Sequence, residues 1–450
     1  MSRRPRSARA VACLLTVGLL AAACGSSSKS TSSTTAAPST TASGNSGSST
    51  TAGGSSTTAA ASPKTTTVGG APAVSPTLGV TASSITVGNV STLSGPVPGL
   101  FQGTVNGVKA YFDYINSQGG VNGRKLVQKV GDDALSCTQN KSMVASLASS
   151  VFAFVGSESV VDSCGVPSLP VSTPLISAEA LTPQTQNLAT GFSPLPLPPG
   201  FITGPYLYLA QKYAADVKSV GILYSTSASF PTHAQEYAMS QSGWKVTYQR
   251  GFAATETQFT SDVLRMKSQG VKLLWLVNTT ADDADIVQQA YQQNWHPLIV
   301  LYNGYDHQFE KDAGNAASNG VLNFNQQSMF LGEDAASVPA VATFTKWMST
   351  ANPGYTPDLF SVYGWEAAAL FVAGLQNAGA NPTQASLLAA LRNIHSFDAD
   401  GLSAPYDPGN NQPSTCWLET TVVNGTWKRV NPPTSGFTCS PGGYAHYSGS

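Results

Sequence analysis

Ile85-Thr86-Val87-Gly88-Asn89-Val90 is followed by Thr92-Leu93-Ser94-Gly95-Pro96 and then by a helix-period run that ends at Asn116. Next come Gly119-Gly120-Val121-Asn122-Gly123, a second apolar run over residues 125–130, and Asp132-Asp133. The first and last runs have strand length and composition, and the middle one repeats with helical period. One βαβ unit is the reading that satisfies all three. Such a unit predicts a parallel sheet whose working edge lies at the C-terminal ends of its strands.

The alternation continues along the chain. Helices are expected over 140–149, 204–215, 231–242, 258–268 and 281–294, with strands at 152–156, 174–177, 219–224, 245–248, 272–278 and 297–301. A proline-rich stretch over 191–199 breaks regular structure and is a natural connection between two such series. Past 320 the character changes. A short strand (320–325) precedes helices over 338–351, 359–378 and 382–394, and a closing hairpin over 416–430 turns at Asn424-Gly425.

At the N-terminus, Arg3, Arg4, Arg6 and Arg9 precede an apolar run from Ala10 to Ala23 and then Cys24-Gly25. A basic head, a short apolar segment and small residues before a cut describe a secretory signal over 1–23. The run is short for a transmembrane helix. Small residues before Cys-Gly also resemble the bacterial lipobox, which implies acylation of Cys24, although Ala21 occupies the position of the usual leucine. An ordinary cleaved signal with a coincidental Cys24 is the alternative. Residues 24–82 are dominated by Ser, Thr, Gly, Ala and Pro. Such a segment lacks the apolar surface to offset its ordering entropy and reads as a tether.

Besides Cys13 and Cys24 the chain has Cys137, Cys164, Cys416 and Cys439. Export permits disulfides, and four cysteines allow three pairings. Neighbours in sequence give Cys137 with Cys164 and Cys416 with Cys439. A formal net charge of −1 with 10% charged residues offers no basic surface for nucleic acid. The five histidines, His233, His296, His307, His395 and His446, are scattered, so neither a metal nor another cofactor is expected. Gly99, Gly103 and Gly107 do not form G-x-G-x-x-G, and Ser225-Thr226-Ser227 lacks the nucleophile elbow. No catalytic constellation emerges. For Asp132-Asp133 a turn or cap role outweighs metal binding or acid catalysis.

Leu93-Ser94-Gly95-Pro96, Ile115-Asn116-x-x-Gly119-Gly120-Val121-Asn122-Gly123, Asp132-Asp133, Val155-Gly156-Ser157 and Pro174-Leu175-Ile176-Ser177-Ala178 occur in that order. In that order and spacing the chain resembles the type I periplasmic binding proteins, in particular the leucine/isoleucine/valine-binding branch that feeds ABC importers. The resemblance implies an α/β fold of two Rossmann-like lobes with parallel sheets flanked by helices, joined by a three-strand hinge. Lobe 1 would take 83–202 and 329–403, lobe 2 203–328 and 404–450. It also supports the Cys137–Cys164 pairing. It implies a monomer outside the cell, lipid-anchored at the membrane, that captures a small polar molecule such as an amino acid or amide for an ABC permease. A ligand-sensing receptor with a separate signalling partner is the alternative on the same scaffold.

Carried over position by position, the resemblance places the ligand against Ser157, Glu158 and Ser159 after one strand and Ser177, Ala178 and Glu179 after the next. Leu100 and Phe101 would add an apolar wall, Phe230 an aromatic cover, and Thr279, Thr280 and Tyr305 the facing side. Tyr363 and Trp365, on a helix, read as core. Glu158 and Glu179 stand where the family more often has small or neutral residues. If they reach the ligand they repel an anion and favour a cationic or polyhydroxyl molecule. The alternative is that both carboxylates point to solvent at the rim.

Overall fold

The computed structural model describes residues 77–195, 200–253, 255–302, 304–440 and 443–448. The signal segment, Cys24 and most of the tether lie outside the described residues. The described residues form one compact unit built on two main sheets.

The first sheet holds β1 (Ser84–Ser91), β2 (Lys125–Asp132), β3 (Phe154–Ser157), β4 (Leu175–Ser177) and β5 (Gly191–Phe192). Its order is β2-β1-β3-β4-β5 and every pairing is parallel. A short strand, β6 (Gly200–Ile202), then leads into the second sheet. That sheet holds β7 (Val220–Ser225), β8 (Val246–Phe252), β9 (Leu273–Val277), β10 (Leu298–Leu301) and β11 (Leu322–Asn325). Those five run parallel in the order β8-β7-β9-β10-β11, repeating the topology of the first sheet. β12 (Cys416–Val422) and β13 (Trp427–Asn431) extend it as an antiparallel hairpin, with Asn424 and Gly425 both at positive φ (51° and 71°), as a two-residue hairpin turn requires.

Each sheet has its own core. Ile85, Val87, Phe112, Phe152 and Phe371 pack around the first; Tyr206, Ile222, Leu273 and Trp275 pack on one face of the second. A third cluster, with Phe259, Phe344, Trp365 and Trp427, fills the other face of the second sheet and runs toward the first. The helix Leu359–Ala378 is apolar along its length and mostly buried. It crosses the helix Gln102–Ser117 at backbone contact. A Cβ on Gly107 would lie 2.0 Å from the Ser361 carbonyl oxygen, and one on Gly364 would lie 2.1 Å from that of Thr104. Only residues without a side chain permit that approach.

The chain passes between the sheets three times: from β5 to β7, from β11 to the helix Pro339–Ala351, and from the helix Gln384–Arg392 to β12. Two of the crossings touch, since Gln327 pairs with Ser403 in an isolated bridge. Cys137 is bonded to Cys164 and Cys416 to Cys439. Four short strands were not expected from the sequence: β5, which falls inside the proline-rich stretch read as irregular, β6, and two near the C-terminus. β14 (Thr438–Cys439) pairs with β12, and β15 (Tyr444–His446) pairs with β6, which ties the C-terminal segment to the first crossing.

Candidate functional site

In an open sheet of order 2-1-3-4-5, successive strands leave on opposite sides of strand 1, and a crevice opens where the direction reverses. Here the reversals fall between β1 and β3 in one sheet and between β7 and β9 in the other. The four loops that leave these strands line a single cleft of about 520 Å³, within the size of small-molecule sites.

The loop after β1 supplies Val97, Pro98, Gly99, Leu100 and Phe101. Asp132 holds it in place. Its Oδ1 accepts from the amides of Leu93 (3.1 Å), Ser94 (3.2 Å) and Ala134 (2.8 Å), and the Ser94 hydroxyl donates to Oδ2. Desolvation pushes this carboxyl up, but the Ser94 hydroxyl and the three amides outweigh it and leave the group below its ordinary value. Gly95 sits at φ 93°, where a Cβ would lie 2.4 Å from the Ala134 carbonyl oxygen. Asp133 ties down the next loop, accepting from the hydroxyls of Thr92 and Ser159 and from Asn140. Both aspartates therefore shape the turns that carry the site.

After β3 only Val160 reaches the cleft. Ser157 accepts from the Val90 amide (3.1 Å) and Ser159 donates to Asp133. With Glu158 they line a small buried cavity beneath, beside Asp162 and Thr185. After β4, Ser177 donates to the Phe192 carbonyl (3.3 Å) and Ala178 is core. Glu179 and Leu181 line the cleft.

On the facing side, the Ser225 and Ser227 hydroxyls bond each other (2.8 Å). Asn278 donates to the Leu223 carbonyl (3.2 Å) and to Asp283 (2.9 Å). Thr279 donates to Asp282 (2.8 Å) and caps the helix Thr280–Gln292, and Thr280 donates to Asp306 (3.2 Å). Tyr302, the first residue past β10, completes the wall with Asp358 and Phe360 at the start of the long apolar helix. Phe360 meets Phe101 edge-on at 5.1 Å.

Of the residues singled out in the sequence, the structure brings Leu100, Phe101, Glu179, Thr279 and Thr280 onto the cleft. Phe230 lines a small adjoining pocket that shares Glu179, Pro231 and Tyr302. Ser157, Ser159, Ser177 and Ala178 are turned inward instead, because the strand-end loops need those groups to satisfy their own backbone and Asp133. Tyr305 is also elsewhere. Its ring is packed edge-on to Phe330 and Trp427, and its hydroxyl donates to Glu333. The phenol on the cleft is Tyr302. Asn278, Leu181, Asp358 and Phe360 were passed over, yet the first two obey the strand-end rule as well as those chosen.

The electrostatics are one-sided. Glu158 and Glu179 are 1% and 5% exposed. The Tyr302 hydroxyl donates to Glu179 Oε1 (3.3 Å). Among the described residues no donor group reaches either oxygen of Glu158, whose neighbour is the Glu179 carboxyl. A hydrogen bond between two carboxyls needs a proton between them. Burial and the adjacent Glu179 charge accordingly push Glu158 well up. Glu179 rises to about 7, through burial, with the Tyr302 and Glu158 hydrogen bonds opposing. No lysine, arginine or histidine is among the described residues that line the cleft.

The family model "Periplasmic binding protein" matches residues 84–426, and the chain belongs to that family, in its type I class. Solved structures of similar fold include a fatty acid ABC transporter substrate-binding protein from Thermomonospora curvata. That match has 21% identity and a TM-score of 0.67, covering 82% of this chain and 95% of the other. A possible leucine/isoleucine/valine-binding protein from Rhodopirellula baltica SH 1 has 16% identity and a TM-score of 0.65, covering 79% and 98%. LivJ from Streptococcus pneumoniae, solved with isoleucine, has 19% identity and a TM-score of 0.62, covering 78% and 100%. A comparison with curated protein sequences finds no match.

Proposed function

We propose that this chain is an extracytoplasmic solute-binding protein that captures a small molecule with an apolar body in the cleft and delivers it to an ABC importer. One observation carries the reading: the switch points of both sheets open onto the same cleft. A ligand held there touches loops of both halves, so only a bound state with the halves together makes all the contacts, and that difference drives closure. The halves would be 83–202 with 329–403 and 203–328 with 404–450, with the three crossings as the hinge. Leu100, Phe101, Glu179, Thr279 and Tyr302 would touch the ligand directly, with Phe230 at its margin.

The lining narrows the expected ligand. Val97, Leu100, Phe101, Val160, Leu181 and Phe360 give the cleft a mainly apolar wall, which suits a less polar molecule than a free amino acid. About 150 Å² of apolar ligand surface buried there would contribute roughly 4 kcal/mol. Two of the neighbours, a fatty acid ABC transporter substrate-binding protein and LivJ in complex with isoleucine, are compatible with an apolar body. Export by the 1–23 signal and anchoring through Cys24 on the 24–82 tether complete the proposal.

The test is a thermal-shift screen of the purified chain against amino acids, amides, amines, fatty acids and sugars. A ligand at a hundred times its dissociation constant adds about 2.7 kcal/mol to stability, a readable rise in Tm. No shift from any compound overturns the reading.

A further inference from the structure

We propose that the ligand of this cleft carries a cationic amine, received by the Glu179 carboxyl on the cleft wall with the Glu158 carboxyl paired behind it. The inference rests on the solute-binding reading above and deepens it.

Three observations converge. Most side-chain donors on the cleft are engaged by protein acceptors: Tyr302 by Glu179, Asn278 by Leu223 and Asp283, Thr279 by Asp282, Thr280 by Asp306, Gln308 by Asp312, and one of the Ser225 and Ser227 hydroxyls by the other. The buried groups left short are acceptors: no donor group reaches either oxygen of Glu158, whose neighbour is the Glu179 carboxyl, and the Oδ1 of Asn278 has no partner among the described residues. A ligand that donates here satisfies them. The second observation is charge. Glu179, Asp312 and Asp358 line the cleft with no cationic side chain among the described lining residues to balance them. A buried carboxylate needs a counter-charge or a proton. The third is that Glu158 is 1% exposed and its carboxyl is met only by that of Glu179, an arrangement that costs stability unless a ligand uses it.

The ionisable groups that face the pair from its surroundings are Asp162, Asp358, Tyr302 and Tyr363. All are acids, so none supplies the missing positive charge. In the empty protein a proton held between the carboxyls does so. When an ammonium head enters, that proton leaves to solvent: one positive charge in, one out. Affinity for an amine that stays protonated should therefore rise with pH through the neutral range, where Glu179 titrates at about 7, by up to about tenfold per pH unit for one displaced proton.

The test uses the whole chain and three probes of matched shape: phenethylamine, 2-phenylethanol and 3-phenylpropionate. Titration calorimetry gives the dissociation constants, and two buffers of different ionisation enthalpy give the proton count. Phenethylamine should bind tightest, with about half a proton released at about pH 7 and close to one at about pH 6. Glu179→Gln and Glu158→Gln should each weaken the amine by roughly tenfold to a hundredfold, flatten its pH profile and leave 2-phenylethanol unaffected. Having two isosteric variants guards against one that fails to fold. The alcohol or the carboxylate binding as tightly as the amine overturns the inference while leaving solute capture intact. Silence from all three probes also overturns it, and the panel screen then decides separately whether solute capture survives.

Discussion

Glu366→Gln should stabilise the protein at pH 8 and remove a large share of its loss of stability between pH 5 and pH 8. Glu366 is fully buried on the helix Leu359–Ala378, beneath the bridge that joins two of the three crossings. Gln327 Nε2 donates to its Oε2 at a long 3.5 Å, and Oε1 has no partner among the described residues. Burial raises the group from 4.5 to about 8, against smaller lowering by Gln327 and Ser403. Because the folded value lies above the unfolded one, the contribution to stability is fully present below about 4.5. It is lost as pH climbs through about 8. The rise from 4.5 to about 8 sets a ceiling of roughly 4–5 kcal/mol at about 1.36 kcal/mol per pH unit. Roughly 3 kcal/mol of that falls between pH 5 and pH 8. Glutamine keeps the volume and the neutral form at every pH. Guanidinium unfolding of both proteins at pH 5, 6, 7 and 8 reads the difference directly as a change in midpoint at constant slope. Glu158 and Glu179 add their own pH dependence to both curves, so the gap between the curves isolates Glu366. A gap that stays constant across the range would refute the reasoning.

Four further outcomes follow from particular contacts. Arg429 and Asp334 form a buried ion pair, 6% and 7% exposed. Arg429→Met should therefore cost about 3–5 kcal/mol by leaving Asp334 uncompensated, measured by the same denaturation. Gly107→Ala drives a Cβ to 2.0 Å from the Ser361 carbonyl oxygen, so the two central helices must part. A fall in Tm of several degrees is expected, and an unchanged Tm would contradict the packing. Leu100→Ala, at a partly exposed position on the wall, should weaken an apolar ligand by roughly 1–2 kcal/mol in calorimetry with little change in Tm. Loss of the Cys416–Cys439 bond, which closes a separation of 23 residues, should lower stability by about 3 kcal/mol, seen as a drop in Tm of the double variant Cys416→Ser, Cys439→Ser.

Much of the fold was open to reading because its periodicities are undisturbed. The run 85–90 became β1, the turn at Asn424-Gly425 became the hairpin, and the long apolar segment 359–378 became a helix with the same ends. Local pattern does not report pairing partners, which is why β14 and β15 went unseen. β15 is three residues held to β6 from more than half the chain away. The strand-end rule located the cleft, and it names loops rather than side chains. It could not tell Tyr302 from Tyr305, three residues on, since the turn before the helix His307–Ala313 sends the second ring into the core. The resemblance placed the serines after β3 and β4 against the ligand, yet loop geometry and Asp133 take their hydrogen bonds. For Glu158 and Glu179 the sequence left a choice between ligand contact and a solvated rim. Near-complete burial, a tertiary property, excludes the solvated rim.

The most direct test of capture between two sheets is hydrogen–deuterium exchange on the whole chain, with and without a compound that raises Tm. Added ligand should slow exchange in the loops 92–101 and 178–181 of one half and in 225–231, 277–281 and 302 of the other, together and at the same concentrations. Protection confined to one half, or appearing away from these loops, would contradict the account.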